Sequence, residues 1–600
     1  MVCPCDNGHF TVFPSRRSVV HSTKGIVSTI SPLANEAGLR ILREGGNAAD
    51  AAIAAAAVLN LVDPSMTGIG GDAFALFYEA EIQQVHALNG SGRSAANSSL
   101  DDVCRDLGVV DGDRVYATIP TTSALSVTVP GAAAAWVDIV EKFGSGVVSL
   151  EQVLKPAIEM AEEGCVISEI SSYYWVATEG ELRGKPNGVE LLKKDPAAPK
   201  GYRAPRPGEI YKNRLLAETF RRLGRYGKTG FYEGPVAEAI VDQVRSLGGY
   251  LTLEDLKHHG QFGSEITQAL SIRLAPGSGP ALDLWEHPPN GQGIVAQMAL
   301  GILKILEKEA RVPKFGPEDH NSAEYLHALI ECLKIAFTDG SWYITDPNSI
   351  KLDTASLISE PYLTERAKLF DPTKASTSAT LGPGSPTHRT SDTVYLAVTD
   401  AAGNACSFVN SVADTFGSRV VPQGVGFVLQ NRGAGFHLDP KHPNVYAAKK
   451  RPYNTIIPAL VTNANDGSLN TVLGVMGGAM QPQGHAQVLL NMLLFGMNPQ
   501  VALDAPRVCI GVALPGKSTD PSKRVDNSVY LEDGVSEEVA RKLKGMGHEV
   551  KIVRGMPGRA LFGRGQVICV KHLEEEDGDR RVVYSAGSDG RGDGSAAPLI

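Results

Sequence analysis

The feature that most constrains the fold is a change of pattern around residues 371–392. This segment, DPTKASTSATLGPGSPTHRTSD, has no apolar periodicity and is dense in Ser, Thr, Pro and Gly. Such a composition is typical of an exposed, mobile loop. The chain before it is rich in helical patterns, and the chain directly after it is rich in strand patterns. This order predicts an α+β fold in which sheets pack on each other with helices outside them.

The helical patterns before the loop have apolar positions at helical spacing. Residues 47–62 are Ala-rich, and their small apolar surface on all sides predicts a helix buried between layers. The predicted helices of this part are 47–62, 132–143, 153–163, 214–247, 252–258, 293–310 and 322–337, and a strand is predicted at 73–80.

The patterns after the loop favour strands, because β-branched and aromatic residues cluster between turn signals such as Asp400-Ala-Ala-Gly403-Asn404. The predicted strands are 393–400, 405–412, 424–431, 455–463 and 469–477, and residues 481–496 return to a helical pattern.

Composition excludes several classes of protein. The chain has 600 residues, 43% of them apolar, which is enough to bury a large interior. A net charge of −9 disfavours nucleic acid and an anionic membrane as partners. Residues 1–25 lack the apolar run of a secretory signal, and the longest apolar stretch, 51–62, is too short to span a bilayer. We therefore expect a cytoplasmic protein.

The sequence contains no complete motif for a cofactor or metal site. The glycines of Gly68-Ile69-Gly70-Gly71 follow a helix and precede a strand, whereas dinucleotide binding requires the reverse order. The sequence contains no HExxH, GxSxG or paired CxxC motif. We therefore expect no metal and no organic cofactor. The alternative hypothesis of a nucleotide-dependent enzyme is supported only by these incomplete glycine motifs.

Asp392-Thr393 stands at the seam between the loop and the first strand. A threonine hydroxyl is a weak nucleophile at neutral pH and needs a base beside it. If the bond before Thr393 breaks, its own amine becomes free, with a pKa of about 7.7–8.0 that suits a general base. The pair is therefore a candidate cleavage site and Thr393 a candidate nucleophile, although a Thr opening a strand is usually only a strand residue.

Two further features fit the same chemistry. Gly477-Gly478 ends a strand pattern just before a helix that begins near Pro482, and backbone N–H groups at a helix N-terminus can hold an oxyanion. Ser411 follows Thr393 by one hairpin, which could bring the two hydroxyls together.

An ordered set of segments carries a resemblance to a known family. The segments are AGLRILREGGNAADAAIAAAAVLNLVDPSMTGIGGDAF, TVPGAAAAW, VLKPAIEMAEEG, YLAVTDAAGNACSFVNS, FGSRVV, KRPYNTIIP, GVMGGAMQPQGH and ALDAPR. They resemble the gamma-glutamyltranspeptidase family, in that family's order, over most of residues 25–590. The resemblance implies a four-layer αββα sandwich of the N-terminal-nucleophile hydrolase type and autocatalytic cleavage into two subunits.

The resemblance also implies roles for particular residues. Thr393 matches the family's nucleophile. Ser411 falls where the family has a supporting hydroxyl, and Gly477 and Gly478 match the glycine pair of the oxyanion hole.

The substrate-binding positions depart from the family pattern. The family's glutamate-binding arginine is best matched by Arg93, displaced by two positions. The Gln and Asp that hold the glutamyl amino group fall at Arg432 and Gly435, and the family's Ser-Ser pair falls at Asn454-Thr455. Loss of the acid and gain of Arg432 favour an anionic acyl group without an amine. The LQNRG and GGxxQPQGH variants resemble the family branch that includes oxamate amidohydrolase and cephalosporin-acylase-like members.

The resulting expectation is one globular precursor with two segments, 1–392 and 393–600, which remain associated after cleavage. The processed enzyme would cleave a gamma-glutamyl or similar small carboxylate-bearing amide through an acyl-enzyme. The alternatives are an oxamate-type or acylase-type amidohydrolase that does not use glutathione, and an unprocessed homologue that acts as a binding protein.

Overall fold

The computed structural model describes residues 17–275, 279–377, 381, 392–511, 528–574 and 580–600. Most of the predicted loop at 371–392 lies outside these residues, since 378–380 and 382–391 are not described.

The strands are numbered in chain order. They are β1 (Val20–Ser22), β2 (Ile26–Thr29), β3 (Asp72–Glu79), β4 (Gln84–Gly90), β5 (Cys165–Val166), β6 (Lys193–Lys194), β7 (Tyr202–Arg203), β8 (Ile210–Tyr211), β9 (Glu265–Thr267), β10 (Leu270–Leu274), β11 (Leu282–Glu286), β12 (Asp392–Thr399), β13 (Ala405–Ala413), β14 (Ala459–Asn463), β15 (Leu469–Met476), β16 (Val508–Ile510), β17 (Ser528–Glu532), β18 (Glu549–Val553), β19 (Arg564–Glu574), β20 (Arg580–Ser588) and β21 (Ser595–Pro598).

The helices are numbered in the same way. They are α1 (Pro32–Arg43), α2 (Ala48–Val62), α3 (Leu100–Leu107), α4 (Ala132–Phe143), α5 (Leu150–Glu163), α6 (Glu169–Gly184), α7 (Arg214–Tyr226), α8 (Thr229–Tyr232), α9 (Pro235–Ser246), α10 (Leu253–Phe262), α11 (Gly293–Lys308), α12 (Ala323–Tyr343), α13 (Glu360–Ala367), α14 (Met480–Leu493), α15 (Pro499–Asp504), α16 (Glu537–Gly545) and α17 (Met556–Arg559).

Two seven-stranded antiparallel sheets form the centre of the molecule. Sheet I has the strand order β1-β20-β19-β15-β14-β11-β10, and sheet II has the order β21-β2-β12-β13-β3-β4-β9. The smaller sheet β16-β17-β18 contains a parallel pair, β17 with β18. The first strand after the predicted cleavage site, β12, therefore lies in the middle of sheet II, between β2 and β13.

The two sheets pack face to face between layers of helices. Strand β12 contacts β15 and β19 of sheet I, and the ring of Tyr395 lies where a Cβ at Gly474 would come within 2.3 Å of it. Helices α2 and α4 cover the outer side of sheet II, and α11 and α14 cover sheet I. The predicted four-layer αββα sandwich is confirmed. One large apolar core lies between sheet II and its helices and continues between the two sheets, and a second lies between sheet I and its helices.

The Ala-rich segment forms α2, whose residues are all buried as predicted. The Asn47 side chain caps the helix by accepting hydrogen bonds from the N–H groups of Ala49 and Asp50. The N–H of Ala48 donates to the Asp400 carboxylate at 2.9 Å. Because Asp400 follows β12 directly, this cap ties α2 to the end of the strand that carries Thr393.

The predicted strand at 424–431 is wrong. Gly424 and Gly426 have positive φ angles of 78° and 76°, which a regular strand does not accommodate. The N–H of Leu429 bonds to the carbonyl of Val420, and that of Gln430 bonds to the carbonyl of Gly70. The segment therefore forms a buried loop, because its backbone groups bond to other loops and not to a strand ladder.

Two other predicted elements are shorter than expected. The helix predicted at 214–247 is divided into α7, α8 and α9, because Gly227 and Gly234 turn the chain with positive φ angles of 57° and 66°. The strand predicted at 455–463 begins only at Ala459, directly after Pro458, which has no N–H to donate.

Within the described ranges, no helix has both the length and the apolar character needed to cross a bilayer.

Candidate active site

Thr393 lies at the start of β12, where the pairing with β13 is irregular. The register shifts between Asp392 and Val394, and such irregularities re-aim side chains. The Thr393 hydroxyl donates a hydrogen bond to Ser411 Oγ at 3.2 Å, and both residues are fully buried. The β12–β13 hairpin therefore brings the two hydroxyls together.

Gln481, in the first turn of α14, also contacts the Thr393 hydroxyl. Its Nε2 donates to Thr393 Oγ1 at 3.3 Å, while its Oε1 accepts from the N–H of Ile457 at 3.0 Å. Because Ile457 fixes the amide oxygen, the amide nitrogen faces the threonine.

Gly477 and Gly478 lie between the end of β15 and the start of α14. Their φ angles are 126° and 59°, and a Cβ at Gly477 would come within 3.0 Å of the Cα of Gly563. Only glycine adopts such conformations readily. None of the described residues accepts a hydrogen bond from the N–H of Gly478. This donor, beside the N-terminus of a helix, is available to a ligand.

Arg432 lies next to the hydroxyl pair, at the start of a short 3-10 helix, Arg432–Gly435. It is only 4% exposed. Its Nη2 donates to Ser411 Oγ at 3.2 Å, and its Nη1 donates to Thr455 Oγ1 at 2.8 Å. Burial lowers the pKa of the guanidinium, while the nearby Asp72 carboxylate raises it. A cation therefore lies two hydrogen bonds from Thr393.

Asp72, at the start of β3, provides the buried negative charge near Arg432. Its carboxylate accepts hydrogen bonds from Gln430 Nε2 at 2.8 Å, Asn454 Nδ2 at 3.0 Å and the N–H of Gly92 at 2.9 Å. Burial raises the pKa of Asp72, whereas Arg432, the N–H of Gly92 and the Gln430 amide lower it. Asn454, a predicted binding residue, thus lies in the same network, but its amide is committed to Asp72.

Arg93 is not brought into this network. Its Nη2 donates to Glu265 at 2.6 Å, and Arg451 bonds to the other oxygen of the same carboxylate at 2.9 Å. Among the described hydrogen bonds, none joins its side chain to Thr393 or Arg432. Its salt bridge, shared with Arg451, commits the Arg93 guanidinium to Glu265.

Three buried groups have metal-ligand character: His327, Glu331 and His548, whose ligand atoms lie within 4.8 Å of one another. The Lys334 ammonium donates to Glu331 Oε1 at 2.9 Å and lies 3.4 Å from His548 Nδ1. A positive charge therefore already occupies this cluster, which lies apart from the hydrogen bonds around Thr393.

Sequence reasoning missed three buried residues of the site: Asp72, Gln292 and Gln481. Asp72 and Gln481 stand inside the GIGGDAF and GGAMQPQGH segments, so the resemblance marked their surroundings without giving them roles. Gln292, which donates to the Gly478 carbonyl, had no signal beyond its position between two glycines before a helix.

Comparison with known proteins identifies the family of the chain. The model of the gamma-glutamyltranspeptidase family matches residues 34–599. The chain belongs to the gamma-glutamyltranspeptidase family. The predicted resemblance is therefore confirmed, and the chain is an N-terminal-nucleophile hydrolase by family.

Three relatives illustrate the range of this gamma-glutamyltranspeptidase family. The chain is 33% identical over 592 residues to the glutathione hydrolase-like YwrD proenzyme of Bacillus subtilis (strain 168), covering 97% of this chain and 100% of that protein. It is 32% identical over 536 residues to the oxamate amidohydrolase proenzyme of Klebsiella pneumoniae subsp. pneumoniae, covering 89% of this chain and 92% of that protein.

The third relative is a solved structure, the cephalosporin acylase from Bacillus halodurans. It superposes with a TM-score of 0.81 at 37% sequence identity, over 98% of each chain. The gamma-glutamyltranspeptidase relatives are thus hydrolases and acylases, several of them named as proenzymes, which confirms the prediction of an enzyme.

Proposed function

We propose that the chain is a proenzyme that cleaves its own bond between Asp392 and Thr393. The new N-terminal threonine then hydrolyses or transfers the acyl group of a small carboxylate-bearing amide. The observation that carries this proposal is the buried contact of Thr393 Oγ1 with Ser411 Oγ, which Arg432 bonds from the other side. The proenzyme names of the relatives support it.

Self-cleavage consumes one water. Thr393 Oγ1 attacks the carbonyl carbon of Asp392, the C–N bond breaks, and the acyl group passes from nitrogen to oxygen. Water then hydrolyses this ester, leaving a carboxylate on Asp392 and a free amine on Thr393. That amine is the base that an internal threonine lacks.

In the processed enzyme, the Thr393 amine takes the proton of Oγ1 while Oγ1 attacks the substrate amide carbon. The N–H of Gly478 stabilises the oxyanion of the tetrahedral intermediate. The proton passes to the leaving amine as the C–N bond breaks, which produces the acyl-enzyme. Water, deprotonated by the same amine, releases the acid and restores Oγ1–H. An acceptor amine in place of water gives transfer.

Arg432 determines the proposed substrate class. A guanidinium this close to the nucleophile suits a carboxylate on a short acyl group. The family's acidic partner for a glutamyl amine is replaced by this arginine, so oxamate-like and glutaryl-like acids are favoured. Membership of the gamma-glutamyltranspeptidase family keeps gamma-glutamyl amides as the second candidate.

The test starts with the purified protein on a denaturing gel, with N-terminal sequencing of each band. We expect two bands, the smaller one starting at Thr393. Thr393→Ala should stay uncut and inactive, while Thr393→Ser should be cut more slowly. A wild-type chain that stays whole and inactive would favour a binding protein, and a cut Thr393→Ala chain would refute self-cleavage.

Substrate class is then measured by comparing kcat/KM for oxamate, glutaryl anilides and gamma-glutamyl anilides. We expect the acids without an amine to react faster. A clear preference for the gamma-glutamyl anilide would overturn the substrate class while leaving the nucleophile in place.

A further inference from the structure

Gln292 lies fully buried just before α11 and binds two parts of the candidate site. Its Nε2 donates to the carbonyls of Gly478 and Thr455, each at 2.7 Å, and its Oε1 accepts from the Tyr453 hydroxyl at 2.7 Å. Only an NH₂ group can face two carbonyls, so the orientation of the amide is determined.

The hydrogen bond from Gln292 fixes the direction of the Gly478 carbonyl. The Gly478 carbonyl also accepts from the N–H of Gln481 at 3.1 Å, so two donors hold it. The peptide between Gly478 and Ala479 is planar, and its N–H points away from its carbonyl. Rotation of this peptide would break both bonds. This peptide carries the N–H of Ala479, and the Gly478 N–H belongs to the preceding peptide, on the other side of the Gly478 Cα. Gln292 therefore restrains the turn, with φ of 59° at Gly478, that contains the proposed oxyanion donor.

The bond to Thr455 adds a second restraint. The Thr455 side chain accepts from Arg432 Nη1, while its carbonyl accepts from Gln292. One amide thus links the segment that holds the arginine to the glycine pair. The separation between the carboxylate-binding group and the oxyanion donor depends on it.

We propose that Gln292 is a positioning residue that holds the turn at Gly478 in place for oxyanion stabilisation and sets its distance from Arg432. This inference rests on the proposed function, because it assigns Gln292 to the same reaction. Gln292 does not touch the reacting atoms and acts through Gly478.

The test uses Gln292→Leu in the full chain, with Gln297→Leu as the matched control. Gln297 lies in α11, is equally buried and also donates to two backbone carbonyls, those of Leu270 and Leu284. Loss of a direct oxyanion donor costs about 100- to 1,000-fold in kcat. Loss of a residue that only positions the donor should therefore lower kcat by about 10- to 100-fold. We expect that fall in kcat for Gln292→Leu, with KM within about twofold.

A boronic acid analogue of the substrate supplies a readout that general destabilisation does not move. It forms a tetrahedral adduct with Thr393, so its inhibition constant should weaken by the same factor as kcat/KM falls. Gln297→Leu should leave kcat and boronate affinity within twofold of wild type. Where Gln292→Leu does not fold, Gln292→Glu keeps the shape but cannot donate to both carbonyls, and should lower kcat and weaken boronate binding as well.

Two outcomes separate the proposals. A processed, active wild type whose Gln292→Leu or Gln292→Glu form keeps its kcat and boronate affinity overturns the role of Gln292 alone. A wild type that is neither processed nor active overturns the proposed function, and the role of Gln292 with it.

Discussion

Arg432 is a buried cation beside the proposed nucleophile. A buried guanidinium is costly unless it is paired and hydrogen-bonded. Here two hydroxyls accept from it, on Ser411 and Thr455, and Asp72 supplies the opposite charge nearby. Because Arg432 Nε has no hydrogen-bond partner among the described residues, a substrate carboxylate would gain a strong partner at this position.

Replacing Arg432 by Met should weaken the binding of carboxylate-bearing substrates. Removing one partner of a buried charge pair costs on the order of 2 kcal/mol or more, so KM should rise about 10- to 100-fold. Arg93→Met is the matched control, since Glu265 and not the site holds that guanidinium, and its KM should change less than about threefold. Steady-state kinetics on a glutaryl anilide checks this; a larger effect at Arg93 would transfer the role to it.

Helix α12 anchors the segment that leads toward the predicted cleavage site. His327 Nε2 donates to the carbonyl of Asp371, and Glu331 accepts from the N–H of Ser376. The His327 ring also contacts His548 Nε2 at 2.8 Å. One face of α12 thus holds residues 371–376 against the chain that precedes β18.

The stability of this cluster should depend on pH. Burial, Lys334 and His327 lower the pKa of His548 to about 3, whereas Glu331 raises it. The folded state keeps this imidazole neutral, while the unfolded chain protonates it near pH 6.5. The stabilisation is present above pH 6.5 and is lost as pH falls toward 3.

We expect His548→Gln to flatten this dependence. The wild-type free energy of unfolding should fall by on the order of 1–2 kcal/mol more than that of the variant between pH 7 and pH 5. The exposed His572→Gln serves as the control and should behave like wild type. Urea unfolding at several pH values measures the effect; parallel curves for His548→Gln and wild type would contradict it.

At the scale of the whole molecule, strands from the two sides of the predicted cleavage site lie together in both seven-stranded sheets. In sheet II, β12 and β13 come after Thr393 but lie between β2 and β3, which come before it. In sheet I, β11 pairs with β14 from the other side of the site. Neither segment contains all the strands of either seven-stranded sheet, and both large apolar cores combine residues from the two segments.

The two fragments should therefore stay together after cleavage without any covalent link. We expect them to co-elute on size exclusion and to unfold in one transition in urea. Fragments separated in denaturant and refolded singly should aggregate, because each exposes half of both cores. Native mass spectrometry checks the complex, with the uncut Thr393→Ala chain as reference. A fragment that dissociates and stays folded in native buffer would contradict the interleaving argument.

The sequence by itself determined the local elements and the order of the layers. Helical spacing and Ala content identified α2, α4 and α11, and strand patterns identified β12, β13 and β15, because these properties depend on neighbouring residues. Ordered motifs also marked Thr393, Ser411 and the glycine pair.

Only the tertiary structure decided which side chains meet. It joined Arg432 to Ser411, turned Arg93 toward Glu265, and placed Gln292 against Gly478. It also made 424–431 a loop, since the partners of that backbone lie in distant segments such as Gly70. Such contacts depend on the register of strands far apart in the chain, and a hydrogen bond acts over about 3 Å, so local patterns carry no record of them.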